Sequence, residues 1–229
     1  MKLIYTYISR IVCSMLLMAW TTTCLAQAGR TAISKQQSDT IPLFRGCSVS
    51  ADLVGFLQRQ FSSYGQYEGA LRINLRDKYF PIVELGIGEA DADNIATEIK
   101  YKTRAPFARL GIDFNMMKNK HDRYRVYGGL RYAFTSFKYD VVSPGLYDPV
   151  WKQTVPFGSE GISCYQHWLE GVFTIDAYIW GPLRLGWSAR YKRRLLHDHN
   201  EMGTPWYVPG YGRSGQTRLG GSFNITLEI

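Results

Sequence analysis

Ser163, His167 and Glu170 are the residues whose types and spacing come nearest to a catalytic set. A serine nucleophile needs an imidazole within hydrogen-bond reach and a carboxylate that orients the other ring nitrogen. On a β-strand, a spacing of four residues puts Ser163 and His167 on one face but roughly 13 Å apart. We therefore predict no catalytic residue and no enzyme. The alternative is a lipid-modifying enzyme in which a serine and His167, His197 or His199 converge at one end of the strands.

A second group of chemistry-bearing residues is His197, Asp198 and His199. Two imidazoles and one carboxylate are metal ligands, but a site needs a third or fourth ligand held in fixed geometry. The chain also lacks a phosphate-binding glycine-rich loop and a zinc-finger spacing. We predict no metal and no cofactor.

A third group combines guanidinium groups with aromatic rings in the last long connection of the chain. Its members are Arg193, Arg194, Trp206, Tyr207, Tyr211 and Arg213. Guanidinium groups bind phosphates, and aromatic rings bind cations or stack on sugar rings. The group is therefore a candidate for binding lipopolysaccharide phosphates or sugar rings, but interfacial packing that orders the loop is the favoured interpretation.

The segments between these groups alternate between apolar and polar residues with a period of two, which indicates β-strands. Eight strands are predicted, at residues 46–58, 66–76, 79–89, 105–117, 124–141, 166–179, 183–193 and 217–229. Connections after the second, fourth and sixth strands are short, and those after the third, fifth and seventh are long. Short turns at one end and long loops at the other are typical of an outer-membrane barrel. The fold class is therefore all-β, an antiparallel up-and-down transmembrane β-barrel of about eight strands.

One face of these strands carries charge and the other is almost free of it, with Tyr79, Tyr124, Trp168, Trp180 and Tyr191 near strand ends. A lipid-facing band between aromatic girdles has this pattern. The alternative is a secreted soluble β-barrel that binds an apolar ligand in its interior and turns the charged face outward.

An eight-stranded barrel is just wide enough to be filled by side chains, so inward charges should pair across the lumen. The predicted lumen residues are Glu68, Arg72, Arg76, Glu84, Arg109, Asp113, Arg131, Glu170, Asp176, Arg184, Arg190, Arg218 and Glu228. A lumen plugged by this network predicts a non-enzymatic barrel with a structural or interaction role. Its predicted partners are outer-membrane lipid, lipopolysaccharide and the barrel-insertion machinery.

The N-terminal region predicts export. Residues 1–26 have a basic start, an apolar core too short to span a membrane, and small residues for cleavage after Ala26 or Ala28. Residues 27–43 are predicted to be a flexible segment, and residues 44–229 the barrel. The net charge of +8 is not clustered on one tail or helix, which argues against nucleic acid. Cys47 and Cys164 are predicted at opposite barrel ends and unbridged.

Four strand segments carry a resemblance to a known family: Tyr79–Gly88, Ala105–Asn115, Tyr127–Phe134 and Leu185–Lys192. They resemble a family of small outer-membrane β-barrels of Bacteroidota that has no assigned activity. The similarity covers about residues 44–229. It implies a location in the outer membrane, and it implies no catalytic residue or ligand.

Overall fold

The strands close into one antiparallel barrel. The computed structural model describes residues 42–94, 99–120, 122–148, 150–198 and 203–229. Its elements are β1 (Phe44–Asp52), α1 (Leu53–Phe61), β2 (Tyr64–Leu75), β3 (Tyr79–Asn94), β4 (Ile99–Asn115), β5 (Arg125–Asp148), β6 (Gln153–Trp180), β7 (Leu183–His197), β8 (Tyr207–Val208), β9 (Gly212–Arg213) and β10 (Thr217–Glu228). Eight strands pair in sequence order around the ring, with β10 beside β1, and β8 and β9 form a separate ribbon. The predicted antiparallel eight-stranded barrel is confirmed.

Closure of the ring depends on the pairing of the first and last strands. Val49 lies opposite Leu227 in the β1–β10 ladder. At the end of this ladder Cys47 and Ile229 exchange backbone hydrogen bonds of 3.0 and 2.7 Å. Pairing of the first and last strands therefore closes the barrel wall at this seam, which removes the two open edges that a flat sheet of the same strands would have.

Strict alternation of side chains separates the two faces of the barrel wall. Along β3, Ile82 and Glu84 are buried whereas Val83 and Leu85 are exposed. Tight turns preserve this parity between neighbouring strands, and the turn after β2 places Asp77 at a φ of 55°. The end of the barrel that holds these tight turns is called the turn end, and the opposite end the loop end.

The structure contradicts the predicted first strand of residues 46–58, because β1 ends at Asp52 and a helix follows. The Asp52 carboxylate accepts hydrogen bonds from the backbone N–H groups of Val54 and Gly55, which caps α1. It also accepts from the Phe223 N–H at 3.2 Å, which ties the cap to β10. Gly55 is buried in α1 and packs against the backbone of β2. A Cβ at Gly55 would lie 2.5 Å from the Gln66 carbonyl oxygen, so the helix can lie this close only with glycine at that position.

The structure also contradicts two of the three predicted long loops. Residues 90–104 and 142–165 mostly continue the flanking strands as tall hairpins at the loop end. Alternation continues into these hairpins, where Tyr101 and Cys164 are buried whereas Lys100 and Lys102 are exposed. Lys100 lies across from Asp93, with Nζ 3.5 Å from the carboxylate, and a pair as exposed as this one adds little to stability.

Three remaining expectations concern the ends of the chain and its cysteines. The leader at residues 1–26 and nearly all of the segment at residues 27–43 lie outside the described residues and stay predictions. Cys47 and Cys164 are not bridged to each other; Cys47 lies at the turn end, and buried Cys164 lies on β6 towards the loop end. Within the described residues, no helix is both long and apolar enough to cross a membrane.

The cap at Asp52 leads to a first testable prediction. We expect Asp52→Ala to lower the free energy of unfolding by about 1 kcal/mol, since two helix N–H groups and that of Phe223 lose their acceptor. Asp52→Asn keeps one side-chain oxygen and should lose less. Urea unfolding of the purified barrel in detergent measures both. Equal stability of the alanine variant and the parent would contradict the assigned role.

Candidate functional site

The centre of the lumen is organised around the carboxylate of Glu84, which is 2% exposed. Arg109 and Arg190 donate to its Oε2 at 3.1 and 2.7 Å, and Arg131 Nε donates to Oε1 at 3.1 Å. The three guanidinium groups come from β4, β7 and β5, while Glu84 lies on β3. A single carboxylate therefore connects four strands across the barrel interior.

Two further carboxylates complete the central layer above and beside Glu84. Glu68 lies 2.5 Å from Arg109 Nη1 and 3.0 Å from Arg190 Nη2. Glu170 lies 3.0 Å from Arg109 Nε and accepts from the indole N–H of Trp168 at 2.6 Å. Each acid thus meets a guanidinium group, and the charges alternate in sign through the layer.

The network continues towards the turn end through acids and guanidinium groups that alternate. Asp113 lies 2.7 Å from Arg131 and 3.1 Å from Arg72. Arg184 then contacts Asp176 at 3.2 Å and Glu228 at 3.4 Å. The interior charges therefore form one continuous series rather than separate pairs.

This series leaves almost no free space in the middle of the barrel. The cavity among Glu68, Arg72, Glu84 and Arg131 has a volume of about 10 Å³. That is about the minimum for a single water. Since water cannot solvate these charges, their stability depends on one another.

Most of the predicted lumen residues lie inside the barrel and are paired. These are Glu68, Arg72, Glu84, Arg109, Asp113, Arg131, Glu170, Asp176, Arg184, Arg190 and Glu228. Arg76 is wrongly assigned, because it lies exposed in the turn after β2 at a φ of 57°. Arg218 is at the loop end, above the network, where its Nε donates to the Arg213 carbonyl.

Sequence reasoning missed two lumen cations and misplaced one aromatic ring. Lys192 shares the strand parity of Arg190, and its Nζ lies 3.8 Å from Glu170. Arg125 shares the parity of Arg131 and contacts Glu228 at 2.7 Å. Trp168, assigned to the lipid-facing girdle, is fully buried in the lumen because it has the parity of Glu170. In each case the even spacing from a known lumen residue on the same strand was the signal that the side chain points inward.

The last long connection folds into the barrel mouth and covers the charged layer. Tyr207, Val208, Pro209, Gly210 and Tyr211 are buried, and we call these five residues the plug. The Gly210 carbonyl accepts hydrogen bonds from Arg109 at 2.8 Å and from Lys192 at 2.7 Å.

Hydrogen bonds to the barrel wall hold the plug from both sides. The Tyr207 hydroxyl donates to the Gly65 carbonyl at 3.0 Å, and the Tyr101 hydroxyl donates to the Tyr207 carbonyl at 2.7 Å. Burial raises the pKa of the Tyr207 phenol, which keeps it protonated as a donor.

Two glycines allow the close approach of plug and wall. A Cβ at Gly88 on β3 would lie 2.6 Å from Pro209 Cα. Gly210 has a φ of 79°, and a Cβ there would collide with the ring of Phe107. Only glycine meets both the conformational and the steric requirement at Gly210.

The plug buries Tyr207 and Tyr211, which are therefore not available as loop-binding residues, and packing orders this connection. Trp206 is exposed next to the plug, in ring contact with Tyr64 and Tyr101. Arg213 lies over the rings of Tyr64 and Trp206, at 5.4 and 5.3 Å from their centroids.

The remaining two members of the predicted loop group lie on β7 rather than in the loop. Arg193 is exposed on the same face as Tyr191, and Arg194 is half-buried with its N–H bonded to the Gln216 carbonyl. They are therefore separate from the ring contacts of Trp206 and Arg213.

The serine, histidine and acid set of the sequence does not assemble. His167 is on the outward side of β6, where its Nδ1 lies 2.8 Å from the Tyr132 hydroxyl, whereas Glu170 points into the lumen. Three residues of separation on a strand put them on opposite faces. His199 lies outside the described residues, and among those described no cluster of three His, Cys, Asp or Glu could hold a metal ion.

The network leads to a second prediction. We expect Glu84→Gln to lower the free energy of unfolding by about 3–5 kcal/mol, because three buried guanidinium groups lose their shared counter-charge. Glu160→Gln, which removes an exposed charge on β6, is the matched control and should change stability by less than about 0.5 kcal/mol. Similar urea midpoints for the two variants would contradict this role of Glu84.

The close packing at Gly88 leads to a third prediction. In a chain whose four native cysteines are replaced by alanine, the thiol introduced by Val208→Cys should resist a membrane-impermeant maleimide. Adding Gly88→Val should speed its labelling at least about tenfold, since the plug can no longer seat. Gly171→Val, where a Cβ meets nothing within 4 Å, is the control. An unchanged rate in the Gly88→Val chain would contradict the packing.

Comparison with known proteins gives a family and similar folds among solved structures. A crystal structure of a major outer membrane protein from Thermus thermophilus aligns with a TM-score of 0.45 and 13% identity over 80% of this chain and 98% of that one. Ail, the attachment invasion locus protein of Yersinia pestis, crystallised with the heparin analogue sucrose octasulfate, aligns with a TM-score of 0.36 and 9% identity over 80% and 93%. No curated protein sequence matches the chain. A family model described as Domain of unknown function (DUF6048) matches residues 8–229, and the chain therefore belongs to this family.

Proposed function

We propose that the chain is an integral outer-membrane β-barrel with a plugged lumen, and that its role is structural or interactive rather than enzymatic. The observation that carries the proposal is the inversion of polarity across the barrel wall. The inside holds paired charges, and the outside exposes large apolar side chains along every long strand. A water-soluble barrel has the opposite arrangement.

The outward apolar band has the composition of a lipid-facing surface. Its exposed members on the strands include Leu71, Ile73, Val83, Leu85, Leu110, Leu130, Phe134, Leu169, Phe173, Ile175, Trp187 and Leu227. Tyr79, Tyr124 and Trp180 are exposed near the turn end, where an interfacial aromatic girdle would lie. An apolar area of this size in water would favour aggregation, which supports a membrane environment.

The helix α1 extends the apolar surface at the loop end. Phe56, Leu57 and Phe61 are exposed, and the ring of Phe56 contacts that of outward-facing Tyr67 at 5.8 Å between centroids. The apolar side of the helix is thus continuous with the strand band. We infer that it rests at the interface between lipid tails and headgroups.

The filled interior supports a function other than transport of molecules through the lumen. The charged layer and the plug fill the lumen, so the barrel offers a rigid wall with tall hairpins and a helix at the loop end. Loops carried on a rigid scaffold are the usual place for binding. Lipopolysaccharide and the barrel-insertion machinery are the partners that we propose for the outer surface and for assembly.

The two alternatives from the sequence gain no support from the described geometry. An apolar ligand finds no room in the middle of the described lumen, which ion pairs fill, and the buried apolar cluster towards the loop end is packed against the plug. The set considered for lipid modification does not assemble, because His167 and Glu170 lie on opposite faces of β6.

The proposal is tested by a charge placed on the outer face. Leu130 is 64% exposed on β5, about five residues from the turn end. In a bilayer we expect Leu130→Arg to lower the free energy of unfolding by about 2–4 kcal/mol, because the charge enters hydrocarbon. Folding into lipid vesicles and the gel shift between unboiled and boiled samples measure this.

The control for this test is Leu130→Ala, which shortens the side chain without adding charge. Cell fractionation of the parent chain gives a second, independent readout: we expect it in the outer-membrane fraction with faster migration when unboiled. A soluble parent chain without a heat shift, or an arginine variant as stable as the alanine one, would overturn the proposal.

A further inference from the structure

We propose that a cleft at the loop end of the barrel binds a phosphorylated saccharide. The cleft has a volume of about 430 Å³ and lies between α1, the plug and the ends of β7 and β10. Three cationic side chains line it, those of Lys192, Arg213 and Arg218. Among the described residues that line the cleft, none is acidic.

The two arginines provide the charge that a ligand would meet. Lys192 is already engaged, with its Nζ bonded to the carbonyls of Gly210 and Tyr211 and 3.8 Å from Glu170. Arg218 uses Nε to donate to the Arg213 carbonyl at 2.9 Å, a bond that does not involve its terminal amino groups. Paired guanidinium groups without a lining carboxylate favour a phosphate or similar anion.

The position of Arg213 is set before any ligand arrives. Its guanidinium group lies over the rings of both Tyr64 and Trp206, and these rings contact each other at 5.8 Å. Cation–π contacts orient the planar group at low conformational cost. An anion would therefore bind to a preorganised cation, which improves affinity.

The rest of the lining argues for a sugar attached to the anion. Half-buried Tyr64 supplies aromatic surface, and Gln58 and Gln66 supply amides. Aromatic faces pack against sugar rings, and amides bond to hydroxyl groups. The volume is within the ordinary range for small-molecule sites and too large for a bare phosphate. A phosphorylated sugar of about one or two rings fits this combination of charge, surface and size.

The inference rests on the proposed function in one respect. Only a barrel in the outer membrane with its loop end outward presents the cleft to the outside, where phosphorylated sugars belong to lipopolysaccharide or to soluble glycans. Binding to the purified protein does not depend on this orientation. The two proposals can therefore fail separately.

The experiment titrates the full chain, folded in detergent, with trehalose 6-phosphate while following tryptophan fluorescence, since Trp206 lies beside Arg213. We expect saturable binding, at least about tenfold weaker binding of trehalose and of inorganic phosphate, and weaker binding at higher salt. Delipidated core oligosaccharide from lipopolysaccharide forms a further arm. Tighter binding of this oligosaccharide than of trehalose 6-phosphate would assign the ligand to lipopolysaccharide, and the reverse to a soluble glycan.

Variants distinguish the cleft from general attraction of anions. Arg213→Gln and Arg218→Gln should each weaken binding by about tenfold or more, the loss expected for one charge-assisted hydrogen bond. Arg104→Gln is the matched control, because Arg104 is an exposed cation on β4 that does not line the cleft. Arg218→Lys keeps the charge but loses the planar fork, and should fall between the parent and Arg218→Gln.

The heat shift on gels monitors the fold of every variant. Equal affinity for trehalose and trehalose 6-phosphate, or equal affinity of the parent and both glutamine variants, would overturn the inference. If Arg218→Gln loses its heat shift, the folded Arg218→Lys variant replaces it in the test. Binding by Arg218→Lys that is as tight as that of the parent and of Arg104→Gln would then also overturn the inference. A normal heat shift with no binding would leave the proposed barrel function intact.

Discussion

Desolvation of charge inside a narrow closed wall is the constraint on which this structure depends. Eight strands enclose too little space for water to solvate inward side chains, so each inward charge must meet an opposite one. Glu84 illustrates the result, since it lies at the junction of Arg109, Arg131 and Arg190 from three other strands. A shift of any of these strands by one residue would turn its charges into the apolar surroundings and leave its partners uncompensated. The ion pairs therefore specify strand register as well as contributing to stability.

The plug depends on the same layer of charge. Arg109 and Lys192 both donate to the Gly210 carbonyl. N–H groups of the layer that do not bond to a carboxylate thus bond to a backbone oxygen of the plug. The plug in turn removes water from the upper side of the layer, which strengthens the ion pairs beneath it. The network and the plug therefore depend on each other. The plug can approach the charged layer only because Gly88 has no Cβ. We expect the two to form together during folding rather than one after the other.

The two ends of the barrel differ in a way that follows from their connections. Tight turns at one end keep strands in register with few residues. At the other end hairpins, a capped helix and the aromatic cluster around Trp206 build a larger surface above the apolar band. Ring contacts and cation–π contacts order this surface above a buried apolar cluster that includes Tyr101, Phe107 and Trp168. The cleft beside Arg213 and Arg218 lies here, and it is cationic because no described acid lines it.

The sequence by itself determined the strand alternation, the eight-stranded count and most of the inward charges, because each of these follows from a period of two that is local to one strand. Side-chain parity would also have placed Lys192 and Trp168 correctly. Only the tertiary structure decided which acid meets which guanidinium group, since partners such as Glu84 and Arg190 lie far apart along the chain. It also decided that β1 ends at Asp52, through a hydrogen bond to β10, and that the connection with Tyr207 folds inward. That inward fold depends on carbonyl acceptors and on the absence of a Cβ at Gly88 across the barrel, which no local pattern reveals.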